Sequence, residues 1–209
     1  MNLYFHPLSG NSRRVLLTAT HLDVPLERIV IDLTKNEQRG VPHLARNPNG
    51  RVPVLEDNGF VLWESRAIMQ YLCDKTLGQT LLPTDAQGRA EVNRWLFWCA
   101  AHMAPPEAIL VQENFVKPLT GRPTDAAELE RGLTLFAQNA PILDSHLAGK
   151  TWVAQDHLTL ADFSLAAGLA LAGPAKFPMA DYPNIRAWLA RVQELDAWKK
   201  TATPPPARA

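Results

Sequence analysis

Two hydroxyls, Ser9 and Ser12, lie in the stretch HPLSGNSRRVLL, between an apolar run that stops at Pro7 and a helical pattern beginning a few residues later. A serine at the mouth of a helix has two uses. It caps the helix by accepting one of the first free backbone N–H groups, or it offers its O–H to an anion held where the helix dipole is positive. The residues alone leave both uses open. Serine-hydrolase chemistry is not supported, because no G-x-S-x-G elbow surrounds either residue and His6 sits on the wrong side of Pro7 to be an obvious base. Further along, Trp95, Trp98 and His102 recur at spacings of three and four, hence on one helix face. Such a stripe serves a core, a dimer interface or a substrate pocket. Cys73 and Cys99 fall in helix-like segments outside any C-x-x-C pair. They read as packing thiols of a protein kept in the reducing cytoplasm.

The elements around these residues come in two styles. In the first third, Asn2–His6 reads as a strand, and Val15, Leu16, Ala19 and Leu22 recur at helical spacing. Leu26–Leu33 alternates as a second strand, and Val52–Asp57 and Phe60–Trp63 read as two more, joined by Asn58-Gly59. Asn-Gly between apolar runs is a strong hairpin signal, since both turn residues must take positive φ. A helix is expected from Ser65, giving a βαβ unit, a hairpin and a helix within residues 1–79. After Gly78 and a linker near 81–87, alanine- and leucine-rich periodicity takes over. Helices are expected over 87–104, 126–147, 160–171 and 184–191 in an all-helical domain of residues 87–201, with Thr159 and Asp162 as a capping box and Pro183 in the first turn of the last helix. Pro105-Pro106 is expected to end or kink the first of these helices. The tail TATPPPARA, 202–209 in the main, reads as frayed.

Composition excludes whole classes of function. The chain has 209 residues, 46% apolar and 20% charged, with 21 basic side chains balanced by 21 acidic ones. A net charge of zero argues against a nucleic-acid binder, which needs a basic surface to displace counterions. No apolar run approaches the roughly 18 residues that a membrane span needs, and no secretory signal is visible at the start.

Several segments together carry a resemblance. The strand followed by HPLSxxxRRVLL, then NPNGRVPVL, the hairpin, WESRAI, LTLADF and YPNIRAW resembles the glutathione transferase superfamily over about residues 1 to 200. The N-terminal segment and the ESRAI box look most like the serine-type classes, theta, phi and related bacterial enzymes. The resemblance implies a thioredoxin-like α/β N-terminal domain, an all-α C-terminal domain, usually a homodimer, and glutathione as co-substrate with no metal.

It also implies roles for particular residues. Val52-Pro53 looks like the family's cis-proline element, leaving the Val52 backbone to pair with the glutathione peptide as an added strand. Glu64 is similar to the residue that takes the γ-glutamyl ammonium, and Ser65 to the one that meets the γ-glutamyl carboxylate at a helix N-terminus. Arg39 and Arg51 match positions that hold the glycyl carboxylate and the peptide backbone. Ser9 aligns with the serine that activates the thiol; Ser12 and the Gly10-Asn11 amides remain open as alternatives. In this fold the electrophile pocket is expected between the loop after the first strand and the upper part of the first long helix, with His102 and Met103 near it. The expected activity is conjugation of glutathione to hydrophobic electrophiles or reduction of organic hydroperoxides. Glutathione-dependent disulfide reduction and a non-catalytic binding or assembly role on the same scaffold are the alternatives. The cysteine-type and zeta-type signatures are missing from the Ser9 segment.

Overall fold

The computed structural model describes residues 1–202, so the expected frayed tail lies, from residue 203 on, outside the described residues. The chain divides into two compact units, Met1–Gln79 joined by the segment from Glu194, and Thr80–Gln193.

In the first unit, β1 (Asn2–Phe5) leads into α1 (Gly10–His21), and β2 (Glu27–Val30) is followed by a 3-10 turn at Glu37–Arg39 and the short α2 (Val41–Leu44). The hairpin β3 (Val54–Asp57) and β4 (Phe60–Trp63) runs into α3 (Ser65–Asp74). The sheet order is β2-β1-β3-β4. β1 and β2 are parallel, as a βαβ crossover requires, and the other two pairings are antiparallel. Asn58 and Gly59 take φ of 49° and 86°, the two positive values expected of their turn. Leu3, Val54 and Leu55 from the strands and Val15, Leu17, Ile68, Met69 and Leu72 from α1 and α3 are all at 0% exposure and make the core.

The second unit is helical. It runs through α4 (Ala86–Trp98), α5 (Ala104–Val111), α6 (Lys117–Leu119), α7 (Ala126–Leu147), α8 (Leu160–Gly168) and α9 (Pro183–Gln193). Pro105-Pro106 does not end the helical run. A π-helical stretch, Cys99–Met103, precedes α5, and the prolines occupy its first positions. The wider turn relieves the clash of each ring with the carbonyl four residues back, which lets the helical run continue past two residues that have no N–H to donate. A second π-helical stretch, Gln112–Val116, continues the run. The capping box at Thr159 forms as expected, with Asp162 accepting from the Thr159 N–H at 2.9 Å.

The division at the C-terminal end differs from the expected limit of the helical domain at 201. α10 (Asp196–Lys200) belongs to the first unit. The Arg13 guanidinium lies 3.9 Å over the Trp198 ring and donates to the Trp198 carbonyl at 3.4 Å, so a cation–π contact docks this helix on α1. Among the described residues, no helix is long and apolar enough to cross a membrane.

Candidate glutathione site

Strand register brings the candidate residues to one end of the sheet. Tyr4 pairs with Val54 in antiparallel register, so β1 leaves the sheet, toward Ser9, where β3 enters it from Val52-Pro53. Val54 also pairs with Trp63, so β4 leaves at that same end into Glu64 and Ser65. Because Phe5 pairs with Val30 in parallel register, the chain departs from β2 there as well, on its way to Arg39. Four connections from distant parts of the sequence therefore share one edge, which fits the general rule that ligands bind at strand ends.

The two serines are in different states. Ser9 is half-buried and is the N-cap of α1, its Oγ accepting the Ser12 N–H at 3.2 Å. Ser12 is at 0% exposure, and its Oγ accepts the His6 N–H at 3.3 Å. The hydroxyl of Ser12 thus ties the start of α1 back to the end of β1. His6 Nδ1 accepts the Leu8 N–H at 3.2 Å, and burial pushes this imidazole below its ordinary value, with the Asp32 carboxylate pulling partly back. Asn11 is exposed, and its side-chain oxygen accepts from Arg14. The Tyr4 hydroxyl on β1 is committed to Glu56 at 2.9 Å.

The Val52–Pro53 peptide is cis. Among the described residues the Val52 backbone makes no hydrogen bond, so both of its polar groups are available to an added strand. Glu64 is exposed and takes φ 74°, an uncommon conformation for a residue with a Cβ, costing of order 1–3 kcal/mol and found chiefly where a site needs it. Ser65 opens α3 at 4% exposure. Arg39 and Arg51 are both exposed. Arg39 donates to the Asn49 carbonyl at 3.4 Å and lies over Gly50. A Cβ on Gly50, whose φ is +59°, would come within 3.0 Å of that arginine, so the glycine lets the guanidinium approach the turn before Arg51.

Three contributors escape sequence reasoning. Arg14 is 1% exposed, and its Nη1 donates to Ser65 Oγ at 3.3 Å as well as to Asn11, joining the N-termini of α1 and α3. Nothing distinguishes Arg14 from its neighbour Arg13 in the string SRRV except helical phase, which turns one inward and the other toward α10. His43 and Asn47, each 3% exposed, both donate to the Arg51 carbonyl, at 2.9 and 2.8 Å. Their spacing of four, one on a short helix and the other just past its end, was the available signal.

The residues expected near the electrophile pocket sit in the helical unit. His102 is exposed, its ring 5.9 Å from that of Trp98. Met103 is at 0% exposure and packs in the core, so its role is packing in place of the expected pocket wall. The Trp95–Trp98 stripe does border a concavity, of about 320 Å³, shared with Arg94, Ile142 and His146; neither His102 nor Met103 lines it. The His146 ring lies 4.3 Å from that of Trp95, tilted by 42°, and burial pushes its imidazole below the ordinary value.

Comparison with known proteins identifies the family. Residues 1–74 match the model of the glutathione S-transferase N-terminal domain and residues 126–191 that of the C-terminal domain. Glutathione S-transferase 3 of Zea mays is 34% identical, covering 99% of this chain and 96% of its own. The apo structure of a glutathione S-transferase III superposes with a TM-score of 0.88 at 33% identity over 100% and 99% of the two chains. A glutathione S-transferase I solved with lactoylglutathione has a TM-score of 0.85 at 26% identity over 96% and 97%. The chain belongs to the glutathione S-transferase family, and it is a glutathione transferase with a thioredoxin-like first unit and a helical second unit.

Proposed function

We propose that Ser9 is the residue that stabilises the glutathione thiolate, in the manner of the serine-type classes. The observation that carries this is the contrast in burial between the two serines: each Oγ accepts one backbone N–H, but Ser12 is at 0% exposure whereas Ser9 is half-buried. An oxygen that accepts an N–H keeps its own proton to donate, and that acceptance polarises the O–H toward a sulfur anion.

Magnitudes support the role. A cysteine-like thiol has a pKa near ~8.5. Lowering it by about 2 units takes roughly 2.7 kcal/mol of preference for the anion. A hydrogen bond to a charged group supplies about 1.5–3 kcal/mol, and a helix N-terminus about 0.5–1 kcal/mol. One hydroxyl at the start of α1 suffices, and no general base is needed. The thiol proton leaves to water; the sulfur then forms its bond to the electrophilic carbon as the leaving group departs or the electron pair moves onto the activated acceptor.

Around that sulfur, the Val52 backbone pairs with the tripeptide. Ser65 and Glu64 take the γ-glutamyl carboxylate and ammonium, and Arg39 and Arg51 the glycyl end. The co-reactant is a small hydrophobic electrophile, with organic hydroperoxides as a second class, which makes the role one of detoxification. The location is the cytoplasm, in keeping with two buried cysteines that form no disulfide with each other. The working form is a homodimer. Supporting it, β4 is an edge strand whose Phe60, Val61 and Trp63 stay 49%, 36% and 38% exposed, an apolar edge that a second copy would cover.

The test compares Ser9→Ala with Ser12→Ala by the absorbance of bound thiolate against pH. Ser9→Ala is expected to raise the thiolate pKa by about 1–2 units. Ser12→Ala is expected to leave that pKa in place while lowering stability by about 1–3 kcal/mol, since it strands a partly buried N–H. The reverse pattern would move the role to Ser12.

A further inference from the structure

We propose that His43 and Asn47 are positioning residues that aim the Val52 N–H at the glutathione peptide. The inference rests on the glutathione reading of the site and deepens it.

A carbonyl oxygen has two lone pairs, and on Arg51 both are filled by buried side chains, His43 Nε2 at 2.9 Å and Asn47 Nδ2 at 2.8 Å. Because the partner is a carbonyl, Nε2 must carry a proton. The Arg51 C=O and the Val52 N–H belong to the same planar, trans peptide unit, so they point in opposite directions. Pinning one therefore orients the other. Two donors on the oxygen side fix the plane of the unit, where a single bond would leave it free to rock.

The donors are themselves held. His43 is on α2, its N–H bonded to the Gly40 carbonyl at 3.1 Å, and the Asn47 N–H bonds to the His43 carbonyl at 2.9 Å, so the pair sits one helical turn apart. Asn47 Oδ1 accepts from the Asn49 N–H and Nδ2, both at 3.0 Å, and the Gly50 N–H returns to the Asn47 carbonyl at 2.9 Å. Both side chains are 3% exposed and neither is available to touch substrate from solvent. On the other side of the peptide unit, the Val52 N–H has no partner among the described residues. The arrangement spends two buried polar side chains on one carbonyl, and its product is a backbone donor of fixed direction beside the cis-proline.

The test uses the full chain with His43→Leu, His43→Gln and Asn47→Ala. Readouts are glutathione affinity by calorimetry, KM and kcat for a chromogenic aryl halide, and the Val52 amide resonance on adding glutathione. In the wild-type protein the Val52 amide is expected to move downfield with glutathione. His43→Leu and Asn47→Ala are expected to weaken glutathione by about three- to tenfold in Kd and KM and to blunt that shift, with kcat at saturating glutathione and the thiolate pKa unchanged. His43→Gln, which keeps a terminal N–H at similar reach, is expected to recover most of the affinity. If both deletions bind glutathione as the wild type does, with the Val52 response intact, the inference is overturned while the glutathione reading stands. Glutathione affinity and kcat falling together with the folded fraction, with no rescue by Gln, likewise overturns it as a packing effect. Wild-type protein that binds no glutathione overturns the reading itself.

Discussion

At the scale of single residues, Ser9 and Ser12 show what side-chain identity leaves undecided. Both are serines within one turn of a helix start, and either could have been cap or ligand donor. The distinction comes from the path of the backbone after β1, which brings the His6 N–H onto Ser12 Oγ at 3.3 Å and leaves Ser9 half-buried at the end of the helix. His6 matters here as a hinge post, since its Nδ1 accepts the Leu8 N–H. Protonating that nitrogen would break the bond, and burial already holds the imidazole below its ordinary value of 6.5. As the pH falls, the unfolded chain takes up this proton first. The stability that His6 contributes is therefore complete above about pH 6.5 and is lost as the pH falls from there toward the lower folded value. Urea unfolding midpoints at about pH 7.5 and 5.5 are expected to show this loss, and His6→Asn, which keeps an acceptor that does not titrate in that range, is expected to reduce it. Equal pH dependence in the two proteins would rule the contribution out.

At the scale of elements, periodicity and punctuation carried most of the reading. The helix expected over 126–147 is α7, Ala126–Leu147, because Asp125 caps it on the Ala127 and Glu128 N–H groups and an apolar stripe runs its length. The Asn58-Gly59 hairpin follows from the φ demands of its turn alone. The π-helical stretches were not legible, because widening a turn to seat two prolines depends on what continues beyond them. The capping box was legible as Thr159 and Asp162, but its reach was not. Asp162 is at 0% exposure and accepts from the Thr159 N–H, the Thr159 hydroxyl, the Val153 N–H and Trp188 Nε1 at 2.9 to 3.1 Å. Burial pushes its carboxyl up while these four donors pull it down. One side chain thus joins α8, α9 and the segment before them. Each stranded buried donor costs about 1–3 kcal/mol, against a total stability of about 5–15 kcal/mol for a typical domain. Asp162→Ala is expected to leave the helical unit marginal, read as a fall in urea midpoint and near-ultraviolet circular dichroism. A loss below about 1 kcal/mol would mean that the network is dispensable.

At the scale of the whole molecule, β4 leaves a partly exposed apolar strand at the edge of a four-stranded sheet, and this is where the dimer prediction belongs. Phe60→Lys adds a charge to that edge and is expected to shift sedimentation from dimer toward monomer, with secondary structure retained. An unchanged sedimentation coefficient would locate the subunit contact elsewhere. The amino-acid sequence by itself determined the α/β and helical halves, the hairpin and the caps, since each depends on local periodicity, turn chemistry or a contiguous motif. Only the tertiary structure decided which serine is buried, which of two adjacent arginines turns inward to Ser65, that α10 docks on α1 through Trp198, and that His43 and Asn47 converge on one carbonyl. Those outcomes depend on strand register and helix phase, which bring distant residues to one edge of a sheet and cannot be read from neighbours in the chain.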